Sequence, residues 1–307
     1  MVKQAVHPRA VILTALPVEF RAVRSHLQGL AGETHKGTSY EHGIFSTETC
    51  RWDITIVQAG VGNAPTATQT ERAINRFKPD VALFVGVAGG VKDVSIGDVV
   101  VATKAFCYSS GKAADTFLPR PDVALATFRM EQRALSVDRN DDWLMRIQGS
   151  IPESKPRVHV APIAAGEQVI SSTRSATYHL LRKQYSHVIA VEMEGFGFLQ
   201  AMRANQFLEA LVIRGISDLL DKKAEADAAA SQESASRHAS AFAFEMLAQL
   251  VSDAEFMEGV LKAHAHRHGE KKEKPSSASK YAINNRGPMA AGDHAQMINY
   301  WYHSSEE

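Results

Sequence analysis

"DVALFVGVAGG", residues 80–90, is the stretch on which the fold turns. Its β-branched and large apolar residues run on without alternation, the pattern of a strand covered on both faces, and it closes in glycines that serve a turn. Upstream, "AVILTAL" (10–16) is a second short apolar run, followed by Pro17 and then by "VEFRAVRSHLQGL" (18–30) with apolar residues at helical spacing. The unit recurs as "WDITIVQAG" (52–60) before "APTATQTERAINRF" (64–77), and as "HVIAVEMEGFGFLQAMRANQ" (187–206), a strand running into a helix. "GDVVVATKAF" (97–106), "VHVAPIAAGEQVI" (158–170) and "EALVIRGISD" (209–218) add strands, and residues 231–263 read as one long closing helix. Strands alternating with helical segments predict an α/β sheet protein.

The chain has 307 residues, enough for one large α/β domain with a substantial core. Its 34 Lys and Arg balance 34 Asp and Glu, so no global field favours nucleic acid or an anionic membrane, and an anionic ligand must be held by a local site. Cys50 and Cys107 stand far apart without a paired-cysteine motif, which indicates neither a disulfide framework nor a zinc site and fits a reducing cytoplasm. The longest apolar run falls well short of the roughly 18 residues of a spanning helix, and the first ten residues lack a secretory pattern, so the chain is expected to be soluble.

The composition changes near His264. "HAHRHGEKKEKPSSASK" (264–280) is polar, charged and almost free of large apolar residues, and is expected to be a flexible linker between a catalytic domain at 8–263 and a short interaction tail at 281–307. That tail, "YAINNRGPMAAGDHAQMINYWYH" at its start, combines few charges with Asn, Gln and closing aromatics, a composition that can stack as short β-strands.

Chemistry concentrates where strands give way to loops. Glu19 follows the first strand, "GVAGG" (86–90) ends the deciding one, Glu192 and Glu194 sit in the apolar "AVEMEG" (190–195), and Asp218 ends the last strong strand. In open α/β sheets ligands bind outside the carboxyl ends of the strands. Each residue has a plain reading too: Glu19 complements a helix dipole, Asp218 caps a turn, and the glycines simply turn the chain. Glu192 and Glu194 resist the plain reading, since burying a carboxylate is costly unless something binds it.

Taken together and in order, "TALPVEF" (14–20), "AGVGNAPTAT" (59–68), "GVAGGVKDVSIGDVVVA" (86–102), "GEQVI" (166–170), "AVEMEG" and "RGISD" (214–218) resemble the purine nucleosidase and nucleoside phosphorylase superfamily, above all its methylthioadenosine/adenosylhomocysteine nucleosidase branch. The resemblance covers residues 10–250 and implies a three-layer α/β/α fold with a central mixed sheet. It implies hydrolysis of a purine N-glycosidic bond without a cofactor. Asp218 would protonate purine N7, Glu19 would deprotonate the attacking water, Glu194 would bind the ribose hydroxyls, and Met193 would pack beneath the sugar. Val169 and Ile170 would line the base site, with Val87, Ala88 and Gly89 beside the substrate. It further implies at least a homodimer in which a neighbour helps complete the pocket.

Phosphorylases of this superfamily carry an Arg and a Ser or Thr around the glycine turn to hold phosphate. Phe84 and Val87 stand at those places here. An apolar pair does not bind a phosphate dianion, which favours water as nucleophile. The nucleosidases carry a hydroxyl residue where Val87 stands, so that part of the likeness is incomplete. "YSSGKAADTFLPRP" (108–121) reads either as a surface excursion or as a lid whose Lys112 and Arg120 face a 5′ phosphate chain. In that form the chain resembles members attached to immune receptors and stress effectors, some of which cleave ATP, with the tail as the contact to a receptor or assembly partner. A phosphate-dependent phosphorylase and a non-catalytic nucleotide-sensing module are the competing assignments.

Overall fold

In the computed structural model, residues 6–149, 154–205, 208–221 and 228–269 are described. The chain divides into two units, Met1–His264 and Ala265–Glu307; the second is described only to Gly269. The proposed interaction tail at 281–307 therefore lies outside the described residues.

The apolar runs form strands. In chain order the elements are β1 (Arg9–Thr14), α1 (Pro17–Arg24), β2 (Gln28–His35), β3 (Thr38–Ser46), β4 (Arg51–Gln58), α2 (Asn63–Phe77), β5 (Val81–Gly90) and β6 (Val99–Cys107). A small ribbon follows, β7 (Gly111–Lys112) with β8 (Leu118–Pro119), then β9 (Asp122–Leu125), α3 (Phe128–Asp138), a 3-10 turn (Asp142–Arg146) and β10 (Val158–Ala165). The described chain ends with α4 (Ala176–Gln184), β11 (Ala190–Glu192), α5 (Gly195–Ala204), β12 (Glu209–Leu219), α6 (Ala228–Leu250) and α7 (Ala254–Gly269).

The main sheet runs β11-β10-β6-β12-β5-β1-β4-β3-β2, with β9 on β6. Its centre, β12, β5, β1 and β4, is parallel; β3 and β2 add antiparallel strands at one edge, and β6 lies antiparallel to β12. The sheet is thus mixed. Alternation along the central strands sorts the core into two faces. Ala10, Ile12, Leu83, Val85, Leu211 and Ile213 pack with α1, α3 and α6, whereas Val11, Leu13, Ala82, Phe84, Ala210 and Val212 pack with α2 and α5. Helices on both faces of one sheet give three layers, α/β/α, which is why the central strands are apolar on both sides.

One pairing bends the sheet onto itself. β11 joins β10 in parallel and also meets β5 antiparallel, with Ala190 opposite Gly90 and Val191 opposite Gly89. Strands β5, β12, β6, β10 and β11 therefore close into a ring. The closure sets the acids that follow β11 beside the carboxyl ends of β5 and β12.

Three local expectations are corrected. The helical stretch expected over 18–30 stops at Arg24, and Gln28–His35 is an exposed, polar strand held by pairing to β3 rather than by burial. The strand expected to reach Ile170 ends at Ala165, which releases residues 166–170 as a loop. The single helix expected over 231–263 is two, because Asp253 accepts the Phe256 N–H (3.1 Å) and starts α7 anew. α7 continues to Gly269, into the polar stretch expected to begin a linker at 264. Among the described residues no helix is long and apolar enough to cross a membrane.

Candidate active site

A cavity of about 370 Å³ opens over the carboxyl ends of β1, β5, β11 and β12. Glu19, Val87, Ala88, Gly89, Val169, Ile170, Met193, Glu194 and Asp218 all line it, which brings together nine of the residues expected from sequence. Lys112 and Arg120 are elsewhere. Lys112 is on the β7–β8 ribbon and the Arg120 N–H donates to the Ser110 carbonyl beside it (2.9 Å); neither lines the cavity.

Glu19 is the third residue of α1, and its carboxylate is buried at 2% exposure. Oε2 accepts the N–H of Ala15 (2.7 Å) and of Leu16 (2.8 Å), so the side chain reaches back over the helix start. Oε1 accepts the Val87 N–H (2.9 Å) from β5. Glu19 thus serves the helix start and also lines the cavity. Burial pushes its pKa above the ordinary 4.5, against the opposing pull of Arg214 and of the three N–H donors. A carboxylate with raised proton affinity is suited to act as a base near neutrality.

Behind the lining acids Arg214 is wholly buried in the middle of β12. Its Nη2 donates to Glu192 Oε2 and to Glu194 Oε2 (3.0 Å), and Nη1 lies 3.9 Å from Glu19 Oε1. The guanidinium also rests 4.4 Å from the centre of the Phe84 ring. Burial alone would favour the neutral form, but the charges of Glu192, Glu194 and Glu19 outweigh it and hold the Arg214 pKa above its usual value. Gly86 makes the arrangement possible. A Cβ there would come within 2.8 Å of the Glu19 carboxyl carbon and closer still to Arg214 Nη1.

Glu192 and Glu194 are both buried at 5% exposure, for different reasons. Besides Arg214, Glu192 Oε2 accepts the N–H of Glu194 (3.0 Å) and of Gly195 (2.7 Å), satisfying the first turn of α5. Burial pushes the Glu192 pKa up, Arg214 pulls it down and the neighbouring Glu194 pushes it up again. Glu194 takes Arg214 with one oxygen and the Gly62 N–H (3.0 Å) with the other, and its side chain lines the cavity.

Asp218 projects from an irregularity in β12, where the pairing with β5 slips between Ile216 and Asp218. The Ser217 hydroxyl donates to Asp218 Oδ1 (3.0 Å), and Gly89 packs against the same carboxyl. Across the cavity, Val169 is 72% exposed at the mouth while Ile170 is buried. Among the other lining residues, the polar Gln168, Ser217 and Gln232 were not foreseen as site residues, and neither was Arg214, which pairs with Glu192 and Glu194. A charged residue inside the apolar run "EALVIRGI" was the signal for Arg214, because a buried guanidinium requires carboxylate partners.

Fold and site define a three-layer α/β/α protein with an acid-lined cavity at the carboxyl ends of its strands. The family model of the Phosphorylase superfamily matches residues 9–252, and the chain belongs to that superfamily. It is 29% identical over 245 residues to the ATP nucleosidase Cap17 of Escherichia coli (strain KTE188), covering 71% of this chain and 48% of that protein. The chain thus spans about half the length of that relative. It is 26% identical over 209 residues to a 5′-methylthioadenosine/S-adenosylhomocysteine nucleosidase of Desulfotalea psychrophila, with 64% of this chain and 81% of that one covered. Among solved structures, the corresponding Neisseria meningitidis nucleosidase in complex with methylthio-immucillin-A superposes with a TM-score of 0.64 at 20% identity, covering 78% of this chain and 98% of the other. The futalosine hydrolase of Helicobacter pylori gives 0.66 at 20% identity, over 79% and 98%. These structural likenesses establish the fold.

Proposed function

We propose that the chain is a purine nucleosidase that hydrolyses the N-glycosidic bond of an adenine nucleoside or nucleotide. The observation that carries this is the charge of the cavity. Its described lining holds four carboxylates and no Lys, Arg or His, and the guanidinium behind them is engaged by Glu192 and Glu194. Such a site stabilises a ribosyl cation and gives a phosphate dianion nothing to bind, so water is the nucleophile.

In this mechanism Asp218 delivers a proton to purine N7 as the C1′–N9 bond breaks, and the bonding pair leaves with the base. The cationic sugar sits over Met193, with Glu194 accepting from its hydroxyls. Water adds to C1′, and Glu19 takes its proton, leaving a free hydroxyl on C1. Fixed donors hold Glu19 in place before the reaction, so little reorganisation is needed. The names of the two sequence relatives, an ATP nucleosidase and a methylthioadenosine/adenosylhomocysteine nucleosidase, support adenine as the base.

The 5′ group is the open part of this reading. ATP is the substrate named for one relative, and Lys112 and Arg120 are the cations offered for its phosphates. A role as a defence effector, in the cytoplasm and as a homo-oligomer, belongs to the same proposal; the unpaired state of Cys50 and Cys107 accords with a reducing compartment. Adenine release measured across adenosine, methylthioadenosine, AMP and ATP tests the assignment. Release from at least one substrate is expected; because Lys112 and Arg120 do not line the cavity, replacing both by Ala tests the lid reading, which a greater loss of ATP cleavage than of adenosine cleavage supports and equal losses refute. No free adenine from any of the four would refute the nucleosidase assignment.

A further inference from the structure

The start of α2 is built on carboxylates that come from elsewhere in the chain. α2 has no acidic residue in its own first turn and is preceded by Gly62, which offers no capping side chain. Its first N–H groups would go unmet, and two acids meet them: Glu194 accepts from Gly62 N–H (3.0 Å) and Glu167 from Asn63 N–H (3.1 Å). Glu167 is the second residue of the loop 166–170, and the three residues after it line the cavity. Consecutive amides of one helix start thus hold the acid assigned to the sugar and the loop assigned to the base.

Asn63 does more than lend its amide. Its side chain is buried, with Nδ2 donating to the same Glu167 oxygen (2.8 Å) and Oδ1 accepting the Gly197 N–H (2.8 Å) in the first turn of α5, the helix that follows Glu194. Contact there is backbone to backbone: a Cβ on Gly197 would fall 2.7 Å from the Asn63 carbonyl carbon. The Glu167 end is different. It is exposed, and the loop beyond it has no regular structure and carries the exposed Val169. Ties of the loop from Glu167 to Ile170 include Asn63 on the Glu167 carboxylate, Tyr108 on the Gln168 carbonyl (3.4 Å) and Thr177 on the Gln168 side chain (2.8 Å).

We propose that Asn63 and Glu167 form a latch that fixes the base-side loop against the start of α2, in register with Glu194, and so sets the affinity for the nucleoside. Asn63 and Glu167 are positioning residues, acting through Gln168, Val169 and Ile170 on one side and Glu194 on the other. The inference rests on the nucleosidase reading above.

Reversing the polarity of the pair tests it. Asn63→Asp keeps an oxygen for the Gly197 N–H but removes the donor to Glu167 and sets two like charges together. Loss of one hydrogen bond plus that repulsion corresponds to a rise in KM of about tenfold, with kcat within about twofold because Asp218 and Glu19 are untouched. Adding Glu167→Gln supplies an amide that accepts the residue 63 N–H and donates to the new carboxylate, and KM returns to within about twofold of the parent. A role in stability alone would shift the melting temperature and leave KM unmoved. An unchanged KM in folded Asn63→Asp, or failure of Glu167→Gln to restore it, overturns the latch. Adenine binding by the parent, followed by calorimetry, separates the two levels: a parent that neither binds nor releases adenine refutes the functional reading and the latch with it, whereas an active parent with a normal Asn63→Asp refutes the latch alone.

Discussion

Replacing Arg214 by Met removes one buried charge and leaves three buried carboxylates around the space. Glu194 lies 3.0 Å and Glu19 3.9 Å from the guanidinium, and Glu192 is closer still. At about 4 Å and an effective dielectric constant near 20, each attraction is worth about 4 kcal/mol before desolvation is subtracted. Breaking one side of a buried ion pair costs about 3–5 kcal/mol in practice, and Met, of similar length, preserves packing over Phe84. The expected loss is therefore about 3–5 kcal/mol at pH 7.5, a large share of a domain's total. Its pH dependence is a second signature. Glu19 and Glu192 already have folded pKa values above 4.5, so the stability they contribute is full below 4.5 and falls as pH rises through the raised values. Without Arg214 those values climb further, and the deficit shrinks on acidification, by about 1.4 kcal/mol per pH unit for each extra proton held by the folded state. Urea unfolding at pH 5.5 and 7.5, parent against variant, reads both quantities, with Arg214→Lys as an intermediate case that retains a charge. A loss below about 1 kcal/mol that is equal at the two pH values would refute the claim that Arg214 neutralises this cluster.

Glu19→Gln keeps an oxygen for the Ala15 and Leu16 N–H donors, sets its NH2 against the Val87 N–H and cannot accept water's proton, so kcat falls by about 100- to 10,000-fold. In the parent, activity falls on the acid side through a pKa above 4.5, and this limb vanishes from the residual activity of Glu19→Gln. Asp218→Asn removes the proton delivered to the base, and a loss of the same order is expected, with unfolding midpoint and adenine binding near those of the parent. Near-normal turnover would assign base departure to another group.

The central strands were legible because burial on both faces writes a continuous apolar run, as in "DVALFVGVAGG" (80–90), and their helices because an amphipathic face repeats at helical spacing. β2 was not legible. Its exposed residues, with two glycines, obtain their order from hydrogen bonds to β3, and pairing leaves no mark in composition. At the site the acids stood out because a carboxylate amid apolar neighbours demands an explanation. Arg214 demanded one equally, but its partners Glu192 and Glu194 lie in another strand unit and meet it only through the closure of β11 onto β5. Glu192 is explained by the same closure, as the acceptor for the first amides of α5. Asn63 and Glu167 are 104 residues apart, and nothing local to either announces the other.

The most direct test of the account follows the oxygen that ends on the sugar. Incubation of an adenine substrate in ¹⁸O-water, with and without inorganic phosphate, should yield adenine at the same rate in both, with the label in the C1 hydroxyl of the released sugar. Release that requires phosphate and gives an unlabelled sugar 1-phosphate would contradict it.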